Sequence, residues 1–194
     1  KAGRLRGQGP EPKQEDRTWS DIPASYAADL TRLCNAYLEK RLDAASLRAI
    51  RAEAGVTAGA PVPRLEPAAF TAASALRFST EASFYMDLEN SFLGGMYAFL
   101  KQELGVRVPV VGTSIHNGGL TPYPLLASTS KLDMVDSHTY WQHPRFLSDA
   151  SGRRIGFEIG NTPAVNEPER SPLLALARLA VAGKPFMVSE VNHP

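Results

Sequence analysis

The sequence predicts an α/β fold built on a parallel sheet, either a barrel or a doubly wound sheet. Three apolar stretches of strand length lie in its second half, at 106–114, 132–136 and 185–191. Helical sequence precedes the first, a short connection at 122–130 separates the first two, and a long irregular stretch and a helix precede the third. Parallel strands that are buried on both faces are nearly continuous apolar runs. Alternation of such strands with helices is typical of α/β domains.

The composition narrows the class of protein. The chain has 194 residues, of which 43% are hydrophobic and 21% charged, as in globular domains. A net charge of +1 favours neither a nucleic-acid partner nor a membrane surface. No stretch has the roughly 18 apolar residues of a membrane span. Residues 1–17 lack the apolar core of a signal peptide, but a signal could precede residue 1, so the compartment stays open and secretion or a periplasmic location is possible.

The first half of the chain is predicted to be helical. Residues 1–18 are polar and indicate a loop or frayed end, and residues 19–194 are expected to form the folded domain. The helical spacing of apolar residues after Trp19 predicts a helix that ends near Arg41. Asp43 is placed to cap a second, short helix that ends near Gly55.

The strongest helical pattern begins at about Ser79 and ends at Gly105. Its apolar stripe consists of Phe84, Leu88, Phe92, Met96 and Phe99 or Leu100. Gly94 and Gly95 inside it each cost about 1 kcal/mol relative to alanine, which predicts close packing against a neighbour.

Each predicted strand ends in polar side chains, and the carboxyl ends of parallel strands are where such folds place their active sites. A long irregular stretch, 142–171, and a helix at 172–182 are expected between the second strand and the third. The polar side chains at the three ends are His116 and Asn117, then His138, Tyr140 and Trp141, then Glu190, Asn192 and His193.

A glycosidase is the first chemistry that fits these residues. Glu190 would be the nucleophile, and His138 and Tyr140 would position it or bind sugar hydroxyls. Trp141 offers a flat apolar face to a sugar ring, although a core tryptophan fits equally well.

Two other interpretations remain open. In a metallohydrolase, a divalent ion would lie among His116, Asp136, His138 and His193. The absence of a His-x-His pair or a His-Glu-x-x-His helix counts against it, so we predict no metal ligands. The histidines could also be purely structural.

Two segments resemble a known group of enzymes. Asp136–Trp141 and Pro185–Pro194 are similar to the sixth and seventh strands of clan A glycoside hydrolases, the (β/α)8 retaining group that includes the cellulase-like family 5. Residues 99–106 and 110–113 are similar to its fourth helix and fifth strand. The resemblance implies a partial (β/α)8 TIM barrel of strands five to seven with flanking helices and a helical insertion near the N-terminus. Residues 19–194 would then be an incomplete barrel domain.

The resemblance also implies an activity and a site. The intact protein would be a retaining O-glycosyl hydrolase that acts on a β-linked oligo- or polysaccharide without a cofactor. Glu190 corresponds to the nucleophile and Tyr140 to the residue that orients it, beside His138. The side chains expected to bind the carbohydrate are His116, Asn117, Trp141, Asn192 and His193.

The general acid/base is expected outside this chain. In that group it is a glutamate that follows an asparagine at the end of the fourth strand, which would lie before residue 1. Asn166-Glu167 has the right letters but lies in the long loop and not after a strand. We therefore expect the chain alone to be inactive. The alternative is a non-catalytic carbohydrate-binding or structural domain.

Overall fold

The computed structural model describes residues 23–116, 123–142, 144–171, 174 and 176–192. Its internal contacts divide the chain into two units, residues 1–87 and 88–194. The loop or frayed end predicted at 1–18 lies outside the described residues. None of the helices in the described segments is long and apolar enough to cross a membrane.

The first unit contains the two helices that the sequence predicts. Helix α1 spans Ala24–Arg41 and helix α2 spans Ala44–Glu53. The Asp43 carboxylate accepts hydrogen bonds from the backbone N–H groups of Ala45 and Ser46, which confirms its role as the cap of α2. The buried core consists of Cys34, Leu38, Ile50, Val62 and Phe84.

Two polar side chains attach the segment after α2 to this core. The Asn35 amide oxygen accepts from the Val62 backbone N–H at 2.7 Å, and its NH₂ group donates to the Val62 carbonyl at 2.9 Å. Both carboxylate oxygens of the buried Glu81 lie 2.9 Å from the Leu65 backbone nitrogen. The segment therefore folds against the helices although it has little regular structure of its own.

Helix α3 spans Ala75–Ala98 and continues as one π-helical turn at Phe99–Glu103. It begins four residues before the predicted start, because the Ser74 hydroxyl accepts a hydrogen bond from the Arg77 backbone N–H. Gly105, with φ 66°, follows the end of the helical segment as predicted. Most of the apolar stripe is not buried: Phe92 is 64% exposed.

The strand predicted at 106–114 is wrong. None of its residues is in a strand, and the described strand residues that follow it are Ile115–His116, which form β1. The Asp133 carboxylate accepts a hydrogen bond from the Val110 backbone N–H at 2.8 Å, and the Val110 carbonyl accepts one from the Asp133 backbone N–H at 3.1 Å. Because these groups are already paired, they are not available for a strand ladder.

The second unit contains a three-stranded parallel sheet in the order β1–β2–β5. Strand β2 spans Val135–Tyr140 and β5 spans Phe186–Asn192. The short helix α4, Tyr123–Thr129, lies between β1 and β2 in sequence, where we expected only a connection. The sheet's buried cluster consists of Val135, Leu176 and Leu179.

The stretch 142–171, which we predicted to be irregular, contains an antiparallel hairpin. Strand β3 spans Arg145–Ser148 and pairs with β4, Arg154–Glu158. The Asp149 carboxylate forms the turn by accepting hydrogen bonds from two backbone N–H groups, and Gly152 has φ 81°. At the base of the hairpin, the Trp141 indole N–H donates to the Thr162 carbonyl at 2.6 Å.

Within the stretch 172–182, where the sequence predicts a helix, residues 177–179 form a 3₁₀ turn and Ala180 is extended. The predicted partial (β/α)8 barrel with strands five to seven is therefore wrong. Across the described segments, the chain forms helices, one small parallel sheet and one separate hairpin, with no barrel.

Candidate functional site

The candidate site lies along the parallel pair β2 and β5. Side chains alternate between the two faces of a strand, so Asp136, His138 and Tyr140 lie on the same face of β2. The pairing places His138 opposite Glu190 and Tyr140 opposite Asn192. The predicted nucleophile thus lies beside the two residues predicted to position it.

A β-bulge shapes this part of the pair. The register runs from Ser137 opposite Val188 directly to His138 opposite Glu190, so Ser189 is an extra residue on β5. Its side chain contacts both Asp136 and His138. The bulge therefore brings two consecutive residues of β5, Ser189 and Glu190, into contact with the polar face of β2.

The Glu190 carboxylate has a partner on each oxygen. The Tyr140 hydroxyl donates a hydrogen bond to Oε1. His138 Nδ1 lies 3.3 Å from Oε2. The Glu190 side chain is 56% exposed, whereas that of His138 is 18% exposed. An oriented carboxylate that solvent and ligands can reach is suited to act as a nucleophile.

The contact with Glu190 also changes the acidity of Tyr140. The hydrogen bond to the carboxylate is the main cause that raises the pKa of Tyr140 above its ordinary value of 10.0. Loss of the phenolic proton would break this bond and place two negative charges side by side. Tyr140 therefore acts as a hydrogen-bond donor to Glu190 at neutral pH.

Trp141 follows Tyr140 in the sequence, but its ring is buried near Thr162. It is 6% exposed, and its indole N–H is used to hold the base of the hairpin. Little of the ring surface is open to a sugar in this conformation. Its predicted contact with substrate remains a prediction.

Of the other four residues predicted to bind carbohydrate, the structure describes the backbone of two. His116 belongs to β1 and is paired with His138 in the register, while Asn192 is the last residue of β5. Asn117 and His193 lie outside the described residues. Their predicted roles are neither supported nor contradicted.

Of the four residues proposed as ligands in the alternative metal site, the structure describes the side chains of Asp136 and His138. Both side chains contact the Ser189 hydroxyl. Among the side chains that the structure describes, no three from His, Cys, Asp and Glu are grouped so that they could hold a metal ion. The description does not extend to the side chains of His116 and His193, so the proposed set of four ligands is not tested.

Sequence reasoning missed Ser189 altogether and gave Asp136 only a place in the metal alternative. The Asp-x-His-x-Tyr alternation was a usable signal for Asp136, because it places all three side chains on one face of a strand. No comparable signal existed for Ser189. In a regular strand, its side chain would point to the face opposite to that of Glu190, and only the bulge turns it toward His138.

Comparison with known proteins adds little to this geometry. No family model matches the chain, and no curated protein matches it in sequence. Among solved structures, the chain is similar to the crystal structure of the GH39 enzyme from Xanthomonas axonopodis pv. citri, with a TM-score of 0.35 and 19% sequence identity. The match covers 86% of this chain and 30% of that enzyme. Similarity at this level does not establish a shared fold.

Proposed function

We propose that the chain carries the nucleophile of a retaining O-glycosyl hydrolase that acts on a β-linked oligo- or polysaccharide. The observation that carries the proposal is the Glu190 carboxylate, contacted on one oxygen by the Tyr140 hydroxyl and on the other by His138 Nδ1. A retaining glycosidase needs such an oriented carboxylate beside the anomeric carbon of its substrate.

The reaction uses Glu190 in two steps. Its carboxylate attacks the anomeric carbon, the bond to the leaving oxygen breaks, and a glycosyl ester of Glu190 forms. Water then attacks the same carbon, which releases the sugar and restores the carboxylate. The leaving oxygen takes its proton from a second carboxyl group, to which the proposal assigns no residue of this chain.

A mechanism-based label tests Glu190 without that second group. Fluoride leaves without being protonated, so 2-deoxy-2-fluoro-β-glycosyl fluorides of the gluco, manno and galacto series should trap the ester even where the acid is missing. We expect the mass of the chain to rise by one fluorosugar, and peptide mapping to place the sugar on Glu190.

Glu158→Gln is a matched control for Glu190→Gln. Both glutamates lie on strands, and both side chains are 56% exposed. We expect Glu190→Gln to abolish labelling and Glu158→Gln to leave its rate unchanged. Absence of labelling by every sugar, or a label on another residue, would refute the proposal. Sugar binding without labelling would support the non-catalytic alternative.

A further inference from the structure

We propose that Ser189, held by Asp136, is a positioning residue that determines which ring nitrogen of His138 carries a hydrogen. The catalytic meaning of this inference rests on the proposed function, because His138 lies against the Glu190 nucleophile. The structural part of it concerns only hydrogen positions in the β2–β5 pair.

Two hydrogen bonds attach Ser189 to Asp136. The Ser189 hydroxyl donates to Asp136 Oδ2 at 2.7 Å, and the Ser189 backbone N–H donates to Oδ1 at 3.1 Å. Asp136 is only 6% exposed, so few water molecules compete for these bonds. Two bonds between one carboxylate and one bulged residue fix the orientation of the serine oxygen.

The bond to Asp136 leaves Ser189 without a hydroxyl hydrogen for any other partner. A serine hydroxyl has one hydrogen to donate, and here Asp136 receives it. Toward His138 Nε2, which is 3.1 Å away, the Ser189 oxygen can therefore only accept a hydrogen bond. Nε2 must then carry the hydrogen.

His138 Nδ1 is the ring nitrogen that faces the Glu190 nucleophile. With a hydrogen fixed on Nε2, Nδ1 presents either a lone pair or an additional proton to Glu190 Oε2, 3.3 Å away. Without the Ser189 hydroxyl, a neutral His138 is free to place its single hydrogen on Nδ1 instead.

Nitrogen-15 NMR of the histidine rings tests this assignment directly. The chain has four histidines, and His138→Gln identifies the His138 signals by their loss. We expect Nε2 to be protonated in the unsubstituted protein. A His138 that carries its hydrogen on Nδ1 alone would overturn the proposal without any further variant.

Substitutions then test whether Ser189 is the cause. We expect Ser189→Ala to move hydrogen from Nε2 to Nδ1, and Ser189→Thr, which keeps a hydroxyl, to restore the original pattern. Ser148→Ala, at an exposed strand serine of β3, is the control and should leave His138 unchanged. An unchanged pattern in a folded Ser189→Ala variant, verified by circular dichroism, would refute the role of Ser189.

The label at Glu190 separates this inference from the proposed function. We expect Ser189→Ala to slow labelling about tenfold at saturating fluorosugar while the half-saturating concentration stays the same, because the hydrogen that His138 presents to Glu190 changes and the sugar contacts do not. If Glu190 is never labelled but the His138 pattern follows Ser189, only the glycosidase proposal fails. If Glu190 is labelled and the pattern ignores Ser189, only this inference fails.

Discussion

Tyr140 is the residue whose contribution to the site can be removed most cleanly. Its hydroxyl donates to Glu190 Oε1, and the raised pKa keeps it protonated at neutral pH. We expect Tyr140→Phe to lower the rate of fluorosugar labelling about a hundredfold, the scale seen when one donor to a reacting oxygen is removed. Tyr26→Phe, at a 65% exposed tyrosine of α1, should have no effect. A change smaller than twofold in Tyr140→Phe would contradict the role.

At this scale the sequence predicts much of the candidate site. Glu190, His138 and Tyr140 were selected because they end apolar runs and resemble a known pattern, and the structure brings all three into contact. Ser189 was not selected, since its contact depends on a bulge that forms only when β2 and β5 pair. A bulge depends on how two segments that are distant in sequence pair, so the hydrophobic pattern of neither segment predicts it.

At the scale of elements, prediction works where the deciding contacts are local. The end of α1 at Arg41 and the Asp43 cap follow from neighbouring residues, and both are confirmed. The apolar run 106–114 is not a strand, because the Asp133 side chain and backbone pair with Val110. Lys101 Nζ adds a bond to the Val108 carbonyl at 2.7 Å. Hydrophobic periodicity cannot predict a partner that lies 23 residues away in sequence, as Asp133 does from Val110.

Helix α3 allows a direct test of the expected close packing at Gly94 and Gly95. That expectation is wrong, since a Cβ at either position would meet no atom within 4 Å among the described residues. We therefore expect Gly94→Ala and Gly95→Ala each to stabilise the fold by about 1 kcal/mol and raise Tm by roughly 2–4 °C. Thermal unfolding followed by circular dichroism measures this change.

Gly105→Ala is the matched control for these substitutions. Gly105 also has open space around it, but its φ of 66° strains an alanine. We expect its Tm to fall. A lower Tm in Gly94→Ala or Gly95→Ala would mean that a neighbour occupies the space.

For the molecule as a whole, the predicted fold class is wrong, although the structure does contain a parallel pair formed by β2 and β5. The barrel prediction depends on three apolar runs of strand length, and one of these, 106–114, contains no strand residue. The contacts instead separate a helical unit at 1–87 from a unit at 88–194 that contains both small sheets. Apolar runs indicate burial, but they do not specify whether the backbone is paired in a sheet.

The pH dependence of stability is a property of the whole chain, because carboxyl groups of both units contribute to it. The sign of the contribution differs from one carboxyl group to another. Hydrogen bonds lower the pKa of several carboxyl groups, namely Asp43, Glu53, Asp133 and Asp149. A lowered pKa in the folded state gives stability that is present above the unfolded value and is lost as the pH falls through the folded value. Burial raises the pKa of Glu81 above 4.5, so its contribution has the opposite sign and is lost as the pH rises through the folded value.

Two neutral variants, Asp133→Asn and Glu81→Gln, separate these contributions. The Lys101 ammonium, the Tyr97 hydroxyl and the Val110 N–H hold the pKa of Asp133 at about 2, so its contribution disappears between about pH 3.8 and pH 2. As the pH is lowered through this window, we expect the urea midpoint of Asp133→Asn to decrease less than that of the unsubstituted chain. Glu81→Gln should gain stability relative to the unsubstituted chain as the pH rises above 4.5, because glutamine still accepts from Leu65 N–H and carries no buried charge. Midpoints of either variant that run parallel to those of the unsubstituted chain would contradict the corresponding assignment.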